Sequence, residues 1–89
     1  MNISYDAVKN AKNIEERGIS FDMAAELDWS GAVIYKDDRR DYGEDRYIVK
    51  GYINNRLHVL VFTPRGDNTH IISLRKANKR EVTSHEQES

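Results

Sequence analysis

From Arg46 to Lys76 the sequence alternates apolar and polar residues almost without a break: RYIVKGYI, the pair Asn54-Asn55, RLHVLVF, a Pro-Arg-Gly-Asp loop and THIISLRK. A period of two in runs rich in Val, Ile, Tyr and Phe commits this segment to strands. Asparagine tolerates positive φ, so Asn54-Asn55 reads as the tight turn of a hairpin. That turn sets Val49 opposite Leu60 and Lys50 opposite Val59. With residues 64 to 68 as the second loop, Leu60 meets Ile72 and Val59 meets Ser73. One sheet face then carries Tyr47, Val49, Leu60, Phe62, His70, Ile72 and Leu74 and packs as the core. The other carries Arg46, Ile48, Lys50, Val59, Ser73 and Arg75, apolar in patches but studded with cations. A slip of one residue would exchange the faces.

Helices are expected on either side of these strands. Asp6 can cap a helix in which Val8, Ala11 and Ile14 share a face, with Gly18 ending it. Ser20 caps a second helix whose buried stripe is Phe21, Ala24, Ala25 and Leu27. AVIYK reads as a short strand, and DDRRDYGED as a charged, mobile loop. Asn78 and Glu81 have capping-box spacing and open a short final helix with Val82 as its apolar contact. The polar residues 85–89 read as a disordered tail. The expected fold is α+β: a small antiparallel β-sheet with two N-terminal helices packed on one face and a short C-terminal helix, one domain over residues 1–84.

Composition narrows the chemistry. The 89 residues carry 14 Lys plus Arg against 15 Asp plus Glu, a formal charge of −1, so any polyanion site must be a local patch. There is no cysteine, and His58, His70 and His85 lack metal-ligand spacing, so neither a metal nor a cofactor is expected. No nucleophile elbow, phosphate loop or dinucleotide fingerprint is present. The short apolar runs and the absence of a basic-then-apolar leader point to a cytoplasmic protein with no membrane segment. What remains is a set of cations: Arg46, Lys50, Arg65, Arg75, Lys76, Lys79 and Arg80. The last four cluster where a strand ends and a capped helix begins, a junction suited to phosphate.

The order of motifs resembles the BrnT family of bacterial toxins across nearly the whole chain. The resemblance rests on Tyr5-Asp6, Lys9, Asn13, Gly18-Ile19-Ser20-Phe21, Arg46, Gly51, Val61 with Arg65-Gly66-Asp67, and IISLRKA from Ile71 with Glu81 beyond it. It implies a RelE-like fold and a type II toxin acting as an endoribonuclease, neutralised by a BrnA-type antitoxin that also binds operator DNA. Carried over by position, Arg65 and Arg75 contact the scissile phosphate, with Arg46, Lys76 and Arg80 in support. Lys50 and Lys79 complete the RNA-binding set. The sequence departs from the family pattern at Arg17, where a histidine is frequent, at Phe62, where histidine or tyrosine is frequent, and at His70, where arginine is frequent. His70 is accordingly a candidate substitute general base. The competing reading is a catalytically weak or inactive module that binds nucleic acid or a partner through the same cationic face.

Overall fold

The computed structural model describes residues 1–88. The chain runs through β1 (Asn2–Tyr5), α1 (Ala7–Arg17), a 3-10 helix (Phe21–Glu26), β2 (Val33–Lys36), β3 (Tyr47–Ile53), β4 (Arg56–Arg65), β5 (Asn68–Lys76) and α2 (Lys79–Glu88). Asn54 and Asn55 take φ of 48° and 65° and join β3 to β4 in the expected hairpin, with Val49 opposite Leu60 and Lys50 opposite Val59.

The sheet has five strands in the order β1-β5-β4-β3-β2. It is mixed and not wholly antiparallel, because β1 pairs with β5 in parallel. Asn2-Ile3-Ser4-Tyr5 has too few alternations to announce a strand, so its pairing follows from the fold and not from local pattern. The second helix also differs from expectation: Ser20 does cap it, accepting from Asp22 N at 3.1 Å, but the turns are 3-10. α2 extends through Glu88, taking in most of the segment read as a tail; residue 89 lies outside the described residues.

The junction between β4 and β5 corrects the expected register. Arg65 pairs with Asn68, so the strands turn at Gly66-Asp67, where Gly66 supplies a φ of 57°. Pro64 lies within β4 because β3 ends its pairing at Tyr47 with Phe62, leaving no neighbour to ask for the missing proline N–H. Farther in, a bulge separates Val61, opposite Ser73, from Phe62, opposite Ile71. Ile72 is the extra residue. Leu60 therefore meets Leu74, and Val59 meets Arg75. The bulge changes the phase of β5, so Ile71 enters the core while Ile72 and His70, both expected there, turn to the other face. The remaining assignments of face hold, because a shift of two residues preserves side-chain alternation.

The main core joins Ile19, Phe21, Ala24 and Leu27 to Val49, Ile53, Leu60, Ile71 and Leu74. Phe62 stacks on Tyr47 at 5.4 Å and meets Trp29 edge-on at 5.9 Å on this same face. Gly51 lets the 3-10 segment approach: a Cβ there would lie 2.9 Å from Leu27 Cδ2. α1 contributes its polar face. Val8 is 79% exposed and Ile14 45%, whereas Asn13 Nδ2 donates to Ile19 O and Leu74 O at 2.9 and 3.0 Å. Asn10 Oδ1 accepts from Phe21 N at 2.7 Å. The pair fastens the helix to backbone groups that would otherwise lie buried without partners. On the opposite face, α2 packs Val82 against Leu57, Val59, Ala77 and Ile48. No helix among the described residues is long and apolar enough to cross a membrane.

Candidate functional site

α2 covers one end of that second face, and the segment from Asp37 to Arg46 stands over another part of it. Between them lies a cleft of about 360 Å³. Its floor is aliphatic: Ile48, Val59, Val61 and the bulged Ile72. Ser73, Arg75 and Glu81 form the wall toward α2; Tyr35, Asp37, Arg39, Tyr42 and Arg46 form the other.

Arg75 is fixed by geometry. Its Nη1 and Nη2 donate to Glu81 Oε1 and Oε2 at 2.8 and 2.9 Å, and Nη1 also reaches Lys76 O at 3.3 Å. Glu81 is in turn held by the capping box: Asn78 N donates to Glu81 Oε1 at 2.9 Å, and Glu81 N donates to Asn78 Oδ1 at 2.8 Å. The hydrogen bonds from Arg75 bring the Glu81 pKa down from 4.5 to about 2 against the opposing effect of burial. Glu81 raises that of Arg75 reciprocally. The guanidinium is thus charged, oriented, and left with Nε free of a hydrogen bond among the described residues.

The opposite wall is tied down as firmly. The buried Asp37 carboxylate accepts from Arg39 Nε and Nη2 at 2.7 and 2.8 Å and from Tyr42 OH at 3.0 Å. These bonds, Arg39 foremost, hold its carboxyl well below the usual carboxylate range. Asp37 N also donates to Arg46 O at 2.8 Å, closing the base of the segment. The loop expected to be mobile is a braced wall. Arg46 lies 4.3 Å above the Tyr42 ring and donates to Glu44 Oε2 at 3.1 Å. Arg65 Nη2 donates to the other Glu44 oxygen at 3.3 Å. Burial raises the Glu44 pKa, but the bonds from Arg46 and Arg65 outweigh it and leave the carboxyl below its ordinary value. His70, paired with Thr63 on this same face, has Nδ1 2.9 Å from Ser4 Oγ. Burial first, and then the positive charge of Arg65, lower its pKa and favour the neutral ring.

The expected site residues separate into two groups. Arg75 and Arg46 line the cleft, with Lys50 beside it, 5.8 Å from the Tyr35 ring. Glu44 links Arg46 to Arg65, and His70 is close enough to feel the charge of Arg65. The other group disperses. Lys76 pairs with His58 and belongs to a depression on the helix-covered face, while Lys79 lies on the far side of α2, beside Tyr52 and Arg56. Arg80 is exposed. Four cations close in sequence are not one patch, because Arg75 and Lys76 face opposite ways along β5 while Lys79 and Arg80 belong to α2.

Sequence reasoning missed Asp37, Arg39 and Tyr42 as site residues, left Tyr35 between core and partner contact, and knew Glu81 as a cap and as part of the family motif but not as the partner of Arg75. A signal for the loop existed in Tyr42, an aromatic residue inside an otherwise charged run. Two family departures also acquire positions: Phe62 lies in the aromatic cluster away from the cleft, whereas Arg17 Nη1 reaches Ser73 Oγ, at 3.4 Å, on the cleft wall. No curated protein matches the chain. The profile of the ribonuclease toxin BrnT of type II toxin–antitoxin systems does match, over residues 5–81. The chain therefore belongs to the BrnT family of ribonuclease toxins, a membership that implies an RNA substrate and an antitoxin partner.

Proposed function

We propose that this chain is a metal-independent endoribonuclease of RelE-like design, cytoplasmic, and silenced by a BrnA-type antitoxin that covers the cationic sheet face and carries the operator-binding function. The observation that carries the reading is Arg75: a strand-mounted guanidinium, clamped at both Nη atoms, with Nε still available at an open cleft. Arg46 and Arg65 continue the positive track through their shared Glu44.

RNA brings its own nucleophile. The 2′-hydroxyl loses its proton and attacks phosphorus, the bond to the 5′-oxygen breaks and that oxygen takes up a proton from solvent, and the products are a 2′,3′-cyclic phosphate and a 5′-hydroxyl. The protein must align the reacting atoms and stabilise negative charge on the phosphorane. Arg75 and Arg65 serve the second task, since a guanidinium stays charged and meets phosphate oxygens in a planar fork. His70, whose burial favours the neutral ring, is the group assigned to take the 2′-hydroxyl proton. Lys50, beside the cleft, provides a peripheral contact to the flanking strand, whereas Lys76, Lys79 and Arg80, expected to share that task, are dispersed over other surfaces and are not assigned to it. The Phe62 departure leaves this scheme intact, because that side chain is part of the core.

Inducible expression of the chain and its Arg75→Ala variant, with growth curves and mapping of RNA 5′ ends, tests the reading. Growth arrest and new 5′-hydroxyl ends are expected for the wild type. Removing the guanidinium is expected to cost about 2.7–4 kcal/mol of transition-state stabilisation, roughly a hundred- to a thousandfold in rate. Intact RNA in cells rich in folded wild-type protein would leave the binding-module reading in its place.

A further inference from the structure

We propose that the cleft between the Asp37–Arg46 segment and the start of α2 is a nucleobase subsite, in which one base of single-stranded RNA lies on the aliphatic floor with its ring against Tyr35. The choice of ligand class rests on the ribonuclease reading above. The subsite itself rests on the composition of the cleft.

Its charged walls are already satisfied. Arg75 is paired by Glu81, Arg39 by Asp37 and Arg46 by Glu44, so the walls offer directed contacts to single phosphates at the rim and no field that would draw a phosphate onto the floor. Its floor, by contrast, is Ile48, Val59, Val61 and Ile72, a surface from which a phosphate or a ribose gains nothing. A group with apolar faces and polar edges gains from both floor and rim. Nucleobases have that construction. The bulge is responsible for part of this floor, because it turns Ile72 out of the core position that strict alternation would give it.

The aromatic walls are not equivalent. Tyr42 has Arg46 at 4.3 Å and Arg40 at 5.3 Å from its ring, and its hydroxyl is bound to Asp37. It is a structural post. Tyr35 stands on the outer strand β2, is 43% exposed, and has the Lys50 ammonium 5.8 Å from its ring centroid. Its remaining ring surface is open to a stacking partner, and stacking tolerates any base. Ser73 Oγ, a donor and an acceptor, and the Glu81 carboxylate, an acceptor, face the base edge, which leaves Arg75 Nε to the phosphate.

The test compares nucleoside 5′-monophosphates with ribose 5-phosphate, which has the sugar and phosphate but no base, in NMR titrations that follow the Tyr35, Ile48 and Ile72 signals. Nucleotides are expected to bind more tightly by roughly five- to a hundredfold, the range that stacking one base on an aromatic ring supplies. Tyr35→Ala should abolish that margin, and Tyr35→Phe should keep it. Equal affinities, absence of nucleotide binding, or a margin indifferent to Tyr35→Ala would overturn the subsite. RNA cleavage measured on the same preparations separates the two proposals: cleavage without a base margin sinks the subsite alone, and a base margin without cleavage sinks the ribonuclease reading alone.

Discussion

At the scale of single residues, Glu81 connects helix capping to the proposed chemistry, since one carboxylate both closes the Asn78 capping box and aligns Arg75. Glu81→Gln separates these roles. Glutamine can still serve in a capping box, so α2 should form, while the ion pair is lost. Ribonuclease activity is then expected to fall with secondary structure retained. The linkage has a definite sign. A carboxyl with a depressed folded pKa favours the native state fully above its unfolded value of 4.5, and that contribution fades as pH falls toward about 2. The stability difference between wild type and Glu81→Gln should therefore shrink through that window; parallel acid-unfolding curves would contradict the assignment. Gly51→Ala makes a separate prediction, because its Cβ would meet Leu27 Cδ2 at 2.9 Å and Ala32 Cβ at 3.3 Å inside the core. Overpacking of this kind costs about 1–3 kcal/mol, readable in a urea unfolding midpoint. The cap on Glu81 could be read from the sequence as a local spacing. Its pairing with Arg75 could not, since it depends on how α2 docks through Val82.

Among elements, the segment from Asp37 to Arg46 shows how a charged stretch becomes a rigid wall. Composition favours a mobile loop, and the outcome turns on Asp37, whose buried carboxylate gathers Arg39 and Tyr42. Asp37→Asn removes the charge that holds Arg39 and should release the segment. Trypsin cleavage after Arg39 and Arg40 is expected to accelerate, with the β3–β4 hairpin still protected in hydrogen exchange; an unchanged cleavage pattern would show that other contacts hold the wall. The hairpin itself was legible because its turn chemistry and strand periodicity act within a few residues. β1 and the bulge at Val61/Phe62 were not, since both arise from pairing between distant segments. The same distinction explains α1: its apolar residues gave the periodicity of a buried stripe, but the buried backbone groups of Ile19, Phe21 and Leu74 recruited Asn10 and Asn13 instead.

For the whole molecule, the near balance of charge limits how RNA can be held. With a formal charge of −1 and the Arg75–Arg80 cluster divided among different surfaces, the chain has no broad cationic field. Binding must come from a few directed contacts and, in the proposed cleft, from an apolar surface that salt does not screen. Each phosphate neutralised on a single strand contributes about −0.7 to the slope of log K against log salt. Engagement of Arg46, Arg65 and Arg75 alone therefore predicts a slope of about −2. The Arg75→Ala variant should flatten it by nearly one phosphate, whereas Lys79→Ala, on the far side of α2, should change it little. A wild-type slope near −5 or steeper would require a much wider contact surface and place Lys76, Lys79 and Arg80 back among the principal RNA ligands. A slope near −2 with measurable affinity at high salt would instead show electrostatic anchoring combined with stacking, the combination expected of a protein that grips one short stretch of RNA.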